Sequence, residues 1–479
     1  MWYGAKLKAG FKMRNKQIAV IGGGIAGLTA AYYLQKEIEN DQLPYEVKLI
    51  EASDELGGKI KTMQKDGYTI ERGPDSFLER KKSAARLACD AGLEDDLIRV
   101  ASGKSYILAN GQLHSMPKGS FMGVPTQMKP FLTSSLFSVS GKLRAAGDFF
   151  LPRGAEKDDQ ALGLFFRRRL GNEVVENMIE PLLSGIYSGD VDQLSLMATF
   201  PNFYELEQQY GSLIRGLQNT KSKPSESSSK KKQGMFLTLR NGLSSLVKAI
   251  EEKLKENTVW KATAVNHIAK KHNSYKLSLS NGKMLQADAV IMAAPHLAAQ
   301  KMLSQYDFMN EWKEMPATSV ANVAMAFDEA DIKDDIDGTG FVVSRNSDCR
   351  ITACTWTHKK WPHTTPSGKA LVRCYVGRPD DQEVVDFSDA EIEEIVLRDL
   401  NKQMKITGKP EMKVVTRWKN VMPQYTVGHK RRVQRVKEQI AQQLPGVFLA
   451  GSSYEGIGLP DCIDQGEKAV KDVLSFLNE

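Results

Sequence analysis

Apolar and polar positions follow two periods along this chain, and their order predicts the elements. "KQIAVIG" (residues 16–22) is a short apolar run, residues 25–40 repeat apolar positions at helical spacing, and "YEVKLIEA" (45–52) alternates and ends on an acid. That order predicts strand, glycine turn, helix and strand, one complete βαβ unit. The pattern returns at the far end, where "GVFLAG" (446–451) reads as a strand, a glycine-rich turn follows, and a last helix runs from about Cys462 to Leu477.

Between these ends, "NGLSSLVKAIEEKLKE" (241–256) reads as a helix. In "YKLSLSNGKMLQADAVIMAAP" (275–295), Asn281-Gly282 between alternating runs marks a hairpin. Residues 300–415 mix the strands "SVANVAMAF" and "ALVRCYVG" with the helical "DAEIEEIVLRDLNKQM". Residues 106–205 differ in texture: proline-punctuated apolar stretches such as "FMGVPTQMKPFLTSSLFSVSGKLRAAGDFFLP" predict a mostly helical insertion. Within it, "LGLFFRRRLG" predicts a basic amphipathic helix able to lie on an anionic membrane surface. "NTKSKPSESSSKKKQG" (219–234) has no apolar side chain and reads as a solvated loop between domains.

Composition narrows the function classes. A chain of 479 residues, 41% hydrophobic and 26% charged, is long enough for two or three domains with substantial cores. The formal charge of +7 favours an anionic partner, yet the 65 basic residues are scattered among 58 acids with no basic arm and no nucleic-acid reading motif, so nucleic acid is not an expected partner. Five cysteines without a C-x-x-C pair argue against a disulfide framework and for a reducing compartment; the seven histidines form no ligand cluster, so no metal is expected. No apolar stretch reaches the roughly 18–20 residues that cross a bilayer. The opening "MWYGAKLKAGFK" lacks an apolar signal region and is read, with Met13, as a disordered extension.

The candidate chemistry starts at "GGGIAG". Gly22, Gly24 and Gly27 stand in G-x-G-x-x-G spacing between a strand and a helix, which allows a tight turn, approach of backbone to a pyrophosphate, and close helix–sheet packing. Glu51 ends the second strand about 20 residues further on, where a carboxylate can receive ribose hydroxyls. A dinucleotide follows from that set. Its kind is decided by "EASDELGGKIKT", where a second doublet, Gly57-Gly58, and the cation Lys59 suit a cofactor lying extended across the domain.

From here the sequence resembles the FAD-binding amine-oxidase-like flavoproteins, whose first motif is followed by a Gly-Gly-Arg segment. Lys59 departs from that arginine, keeping charge and losing its bidentate fork. "FLAGSSYEGIGLPDCIDQGEKAV" resembles the family's C-terminal flavin motif, and a helix N-terminus there would stabilise the negative charge of a reduced flavin. The resemblance implies cofactor contacts from Gly22, Gly23, Gly24, Ile25, Ala26 and Gly27, from Glu51 and Ala52, and from Gly58 and Lys59. It implies the same of Gly73, Pro74, Asp75 and Ser76 and of Ile457, Gly458 and Leu459, with Val265 near the adenine and Trp418 near the flavin. A packed core tryptophan is the other reading of Trp418.

Within that superfamily the chain is similar along almost its full length to the porphyrinogen oxidases of the soluble Gram-positive type. That branch comprises the coproporphyrinogen III oxidases, long described as protoporphyrinogen oxidases. The carrying blocks are "ERGPDSFLERKK", "IEPLLSGIYSGDVDQLSL", "ITACTWTHKKWPH", "RWKNVMPQYTVGH" and "GIGLPDCIDQG". The implied fold class is α/β: a Rossmann-like FAD-binding domain, a mixed-sheet substrate domain and a helical insertion domain. The implied boundaries give the FAD-binding domain residues 14–72, 235–299 and 415–479. The substrate domain takes 73–105, 206–234 with the flexible loop, and 300–414, and the helical, membrane-binding-like domain takes 106–205.

The resemblance further implies a cytoplasmic enzyme of haem biosynthesis with non-covalent FAD and at most peripheral membrane contact. Its reaction would be the six-electron oxidation of coproporphyrinogen III by oxygen, forming hydrogen peroxide in three flavin turnovers, with the next haem-pathway enzyme as a recipient of the product. Protoporphyrinogen IX is the alternative substrate, and a non-catalytic flavin-bound porphyrin carrier is the remote one. Arg80 and Lys81 are candidate partners for substrate propionates, against a solvated surface face as the other reading of the run Arg80–Lys82. Ile186 is a candidate apolar wall, or a core isoleucine. No side-chain arrangement demands assignment as a catalytic base.

Overall fold

The computed structural model describes residues 14–101, 103–220 and 234–479; the expected N-terminal extension and most of the loop 219–234 lie outside them. The opening pattern forms strand Lys16–Ile21, helix Ile25–Asn40 and strand Tyr45–Ile50. These strands lie inside a five-stranded parallel sheet in the order Val259–Trp260, Tyr45–Ile50, Lys16–Ile21, Ala289–Met292, Val447–Leu449. Three distant stretches of chain therefore build one sheet, which is why no single window revealed it.

The strands are apolar throughout because both faces are covered. On one face Leu28 and Ala31 of the first helix meet Ile463, Val470 and Val473 of the last. On the other, Ala19, Val290 and Met292 pack with Leu277 of the antiparallel sheet Val265–Ala287 and with Val436 and Ile440 of helix His429–Gln443. The last helix begins at Leu459 rather than Cys462, with Pro460 in its first turn, where a missing N–H loses no hydrogen bond.

A second, seven-stranded sheet runs in the order Met412–Pro423, Ala317–Asp328, Lys369–Val376, Ile351–Trp356, Gly340–Val343, Ser105–Ala109, Gln112–Ser115. It is mixed, with one parallel pairing between Gly340–Val343 and Ser105–Ala109. Its last hairpin occupies residues read above as the start of the helical insertion. Asn110 and Gly111 both adopt left-handed backbone there, at φ +51° and +75°. An Asn-Gly turn between short alternating runs is a hairpin signal, masked here by the proline-rich texture that follows.

The helical texture runs from Met128–Leu132 to Leu213–Thr220 around a core that includes Phe165, Phe166, Met178 and Phe203. The arginines of the basic helix Leu162–Leu170 are paired with acids. Arg169 is 0% exposed and its guanidinium is bound by Asp148 at 2.5 Å and Glu207 at 3.2 Å; Arg168 binds Glu207 at 2.7 Å, and Arg167 pairs with Asp192. The arginines neutralise acids of the insertion, Asp148, Asp192 and Glu207. Among the described residues no helix is long and apolar enough to cross a membrane.

Candidate active site

The glycine turn is held by sterics. Gly22 has φ +106°, and a Cβ there would stand 2.9 Å from the Ala293 carbonyl; a Cβ on Gly27 would stand 1.9 Å from the Gly22 oxygen. Gly24 differs, because a Cβ there would meet nothing within 4 Å. That open space lies at the N-terminus of helix Ile25–Asn40, which has neither a side-chain cap nor an acid in its first turn. Bare N–H groups, a positive helix end and room beside Gly24 fit a pyrophosphate. Ile25 and Ala26 are buried behind it, Ala26 within the core shared with the last helix.

Glu51 stands beside this turn, its Oε2 accepting from Gly23 N at 2.6 Å and its Oε1 from Ser53 N at 2.8 Å. Ala52 follows it. The segment leading to Val265 runs alongside, with Thr263 N donating to Glu51 O at 2.9 Å. The second glycine doublet folds back onto the first: Gly57 N donates to Gly23 O at 2.8 Å, and Gly58 has φ +59°. Lys59 then reaches the C-terminal turn, donating to Ser452 Oγ at 3.1 Å, and burial pushes its ammonium pKa down. The two ends of the chain thus meet at one elongated cradle, with glycine backbone at one end and Lys59 at the other.

Beyond Lys59 the walls come from three elements. Gly73 packs so closely on Lys59 that a Cβ would stand 1.9 Å from the Lys59 oxygen, and Trp418 Nε1 donates to Arg72 O at 2.8 Å. After Pro74, Asp75 is gripped by Lys360 Nζ at 2.8 Å, Ser76 Oγ at 2.6 Å and Arg373 Nη1 at 3.4 Å. Burial pushes this carboxyl up, but Lys360 and Arg373 together hold it well below the usual carboxylate range. Opposite stands the turn Ile457–Gly458–Leu459, where Gly458 precedes the last helix without a side-chain cap. Tyr425 supports that turn, donating to Ser452 O at 2.7 Å and stacking on His429 at 3.9 Å. Burial lowers the His429 pKa to about 4, so the imidazole is neutral at pH 7.

The three cations of "ERKK" part company. Lys81 pairs with Asp461 in the first turn of the last helix, whereas Arg80 and Lys82 are exposed and form no ion pair among the described residues. Ile186, in the last turn of helix Glu180–Tyr187, is 40% exposed and is no core residue. Beside it Gln424 Nε2 donates to Tyr187 O at 2.8 Å, and Thr318 Oγ1 to Ser188 O at 2.9 Å. Ile186 therefore stands where the helical insertion meets the seven-stranded sheet.

Asp461, Tyr187, Tyr425, Lys360 and Arg373 were not singled out from sequence. The first four lie in the stretches that carry the resemblance but have no local signal of their own, and Arg373 gave no signal because it interrupts an otherwise apolar strand.

The pattern of the family described as flavin containing amine oxidoreductase matches residues 25–474. The chain belongs to that family. Within it, the chain is 56% identical over 464 residues to coproporphyrinogen III oxidase of Bacillus subtilis (strain 168), covering 97% of this chain and 99% of that one. It is 44% identical to the Staphylococcus aureus protein of the same name, covering 97% and 100%. An Exiguobacterium sp. 255-15 crystal structure carrying a protoporphyrinogen oxidase name superposes with TM-score 0.86 at 37% identity, covering 97% of this chain and 99% of that one. The cofactor is accordingly FAD, and the enzyme is a flavin-dependent oxidoreductase. The cradle fits it: open space at Gly24, two uncapped helix N-termini and Lys59 are distributed along one elongated path.

Glu71 carries a pH effect at the edge of this site. Burial raises its pKa to about 7, against Leu243 N at 2.6 Å, Thr62 Oγ1 at 2.9 Å and the nearby Arg373 charge, with Asp75 adding to the rise. The folded-state pKa exceeds the unfolded value, so its contribution to stability is full below about pH 4.5 and is lost as pH rises through about 7. Melting temperatures at pH 5 and pH 8 are expected to show E71Q losing less stability over that interval than the parent protein.

Proposed function

We propose that this protein oxidises coproporphyrinogen III to coproporphyrin III in haem biosynthesis, with FAD as cofactor and molecular oxygen as acceptor. The observation that carries the reading is end-to-end similarity to the Bacillus subtilis coproporphyrinogen III oxidase at 56% identity. Bound FAD supplies hydride acceptance and passes the electrons to oxygen. The chain's own residues supply placement. The Gly22–Gly27 turn holds the pyrophosphate, Glu51 and Ala52 the ribose, and Val265 the adenine side. Gly58, Lys59, Gly73–Ser76, Trp418 and Ile457–Leu459 enclose the ring.

For the substrate, Lys81 is the propionate partner, a reading supported by its pairing with Asp461 in the first turn of the last helix, and Ile186, 40% exposed, is an apolar wall. Arg80, exposed and without an ion-pair partner among the described residues, stands one position earlier as an outer cation. A propionate arriving at Lys81 competes with Asp461, and a charge-assisted hydrogen bond of this kind contributes about 1.5–3 kcal/mol. K81A is expected to keep its flavin absorbance while KM for coproporphyrinogen III rises roughly tenfold or more; an unchanged KM removes Lys81 from the propionate site.

The second reading is the dicarboxylate protoporphyrinogen IX, the substrate that the Exiguobacterium structure's name carries. The holoprotein assayed on both, by porphyrin fluorescence, is expected to show the higher kcat/KM with the tetracarboxylate. The reverse order assigns the protein to the dicarboxylate.

A further inference from the structure

One of the two longest strands of the mixed sheet, Ala317–Asp328, carries a buried amide N–H that no group among the described residues satisfies. Asn322 is 3% exposed, and its Nδ2 has no hydrogen-bond partner among the described residues. Leaving such a donor unpaired costs about 1–3 kcal/mol, so its retention calls for an acceptor supplied from outside the chain.

Strand alternation shows where that acceptor lies. Val323, Met325 and Phe327 point into the core with Ile392 and Val396 of helix Asp389–Met404, while Ala324 and Ala326 take the other face with Leu371. That second face is covered by Tyr68 and Ile70 of strand Tyr68–Glu71. Two residues back along this strand, Asn322 shares the face of Ala324, and two residues on from Ile70 the covering chain has reached Arg72 and Gly73.

The register agrees, because Asn322 sits opposite Thr416 on one neighbouring strand and Tyr375 on the other. Both flank the same covering segment: Arg72 Nε donates to Thr416 Oγ1 at 2.9 Å, while Arg373 Nη2 donates to the Tyr375 hydroxyl at 2.6 Å and to Gly73 O at 2.9 Å. Among the described residues Asn322 is thus the side chain of this row without a bond, on the face covered by the chain that goes on to pack on Lys59.

We propose that Asn322 is the sheet's hydrogen-bond donor to the bound flavin ring, meeting the acceptor edge formed by ring atom N5 and the C4 carbonyl. A porphyrinogen interior presents N–H donors and its propionates call for cations, so neither matches a deeply placed neutral donor. The flavin edge does. An amide also offers an oxygen beside its N–H groups, so one neutral residue can serve a ring nitrogen that accepts when oxidised and carries hydrogen when reduced. This is a positioning and tuning role. It rests on flavin binding and is independent of which porphyrinogen is oxidised.

The test is the bound flavin itself, measured in purified holoprotein of the parent, N322L and N322S. Leucine removes the donor at nearly constant volume, and serine stops short of the amide's reach should leucine not be accommodated. Either variant is expected to bind reduced flavin about tenfold less well relative to oxidised flavin, which lowers the two-electron midpoint potential by about 30 mV. The visible flavin band is expected to change shape, with KM for the porphyrinogen within twofold of the parent. A parental potential and spectrum in the variants overturns the proposal. So does a raised KM at unchanged potential, which would assign the amide to the substrate.

Discussion

G27A is expected to emerge from purification without flavin and with activity reduced by at least a hundredfold. The added Cβ stands 1.9 Å from the Gly22 oxygen, a backbone atom that cannot swing aside as a side-chain end can. Relief requires the turn to open, and that moves Gly22 away from Ala293 and moves the N–H groups at the start of helix Ile25–Asn40 off the pyrophosphate. The second glycine doublet is disturbed with it, because Gly57 N binds Gly23 O in the same turn. The ratio of visible flavin absorbance to protein absorbance measures the outcome. A flavin-replete G27A would show that the turn relaxes without losing its ligand. G24A is the informative companion: its Cβ meets no protein atom within 4 Å, so any loss of flavin there reports on the ligand's own approach.

The largest effect on stability is expected from R169M. Arg169 and its partners Asp148 and Glu207 have side chains with no exposure at all. Removing the guanidinium leaves two carboxylates facing each other in the core of the helical insertion, with Arg168 on Glu207 as the remaining nearby cation. Breaking a buried pair in this way costs about 3–5 kcal/mol. Asp148 also receives Ser212 Oγ at 2.6 Å and Ile214 N at 3.0 Å, so the loss spreads to helix Leu213–Thr220. Denaturant unfolding is expected to show that decrease, and R169M/D148N/E207Q to recover part of it, because the double amide removes the stranded charges. A change below about 1 kcal/mol in R169M would place these groups in water.

The two ends of the chain were legible because their signals are local. A glycine turn between a strand and a helix, and an acid closing the next strand, need no partner to be recognised, and Gly22–Gly27 and Glu51 do lie side by side in the structure. The hairpin Ser105–Ser115 was missed because its Asn-Gly turn stands at the border of a proline-rich stretch. The partners of the arginines of helix Leu162–Leu170 were hidden for a different reason. A basic, apolar helix looks the same in sequence whether its charges meet lipid or meet Asp148, Glu207 and Asp192, and those acids lie 21, 38 and 25 positions from their partners. Asn322 and Arg373 were silent because a polar residue inside a strand announces nothing until the register shows which face it takes.

The central claim is that this FAD-dependent protein completes a six-electron oxidation of coproporphyrinogen III. The most direct measurement mixes the flavin-loaded protein with coproporphyrinogen III in air and follows porphyrin and hydrogen peroxide together. The expected result is coproporphyrin III with three equivalents of peroxide, since a two-electron cofactor must turn over three times. Porphyrinogen binding without peroxide would contradict it, leaving the glycine turns, Lys59 and Trp418 as the walls of a flavin-bound carrier.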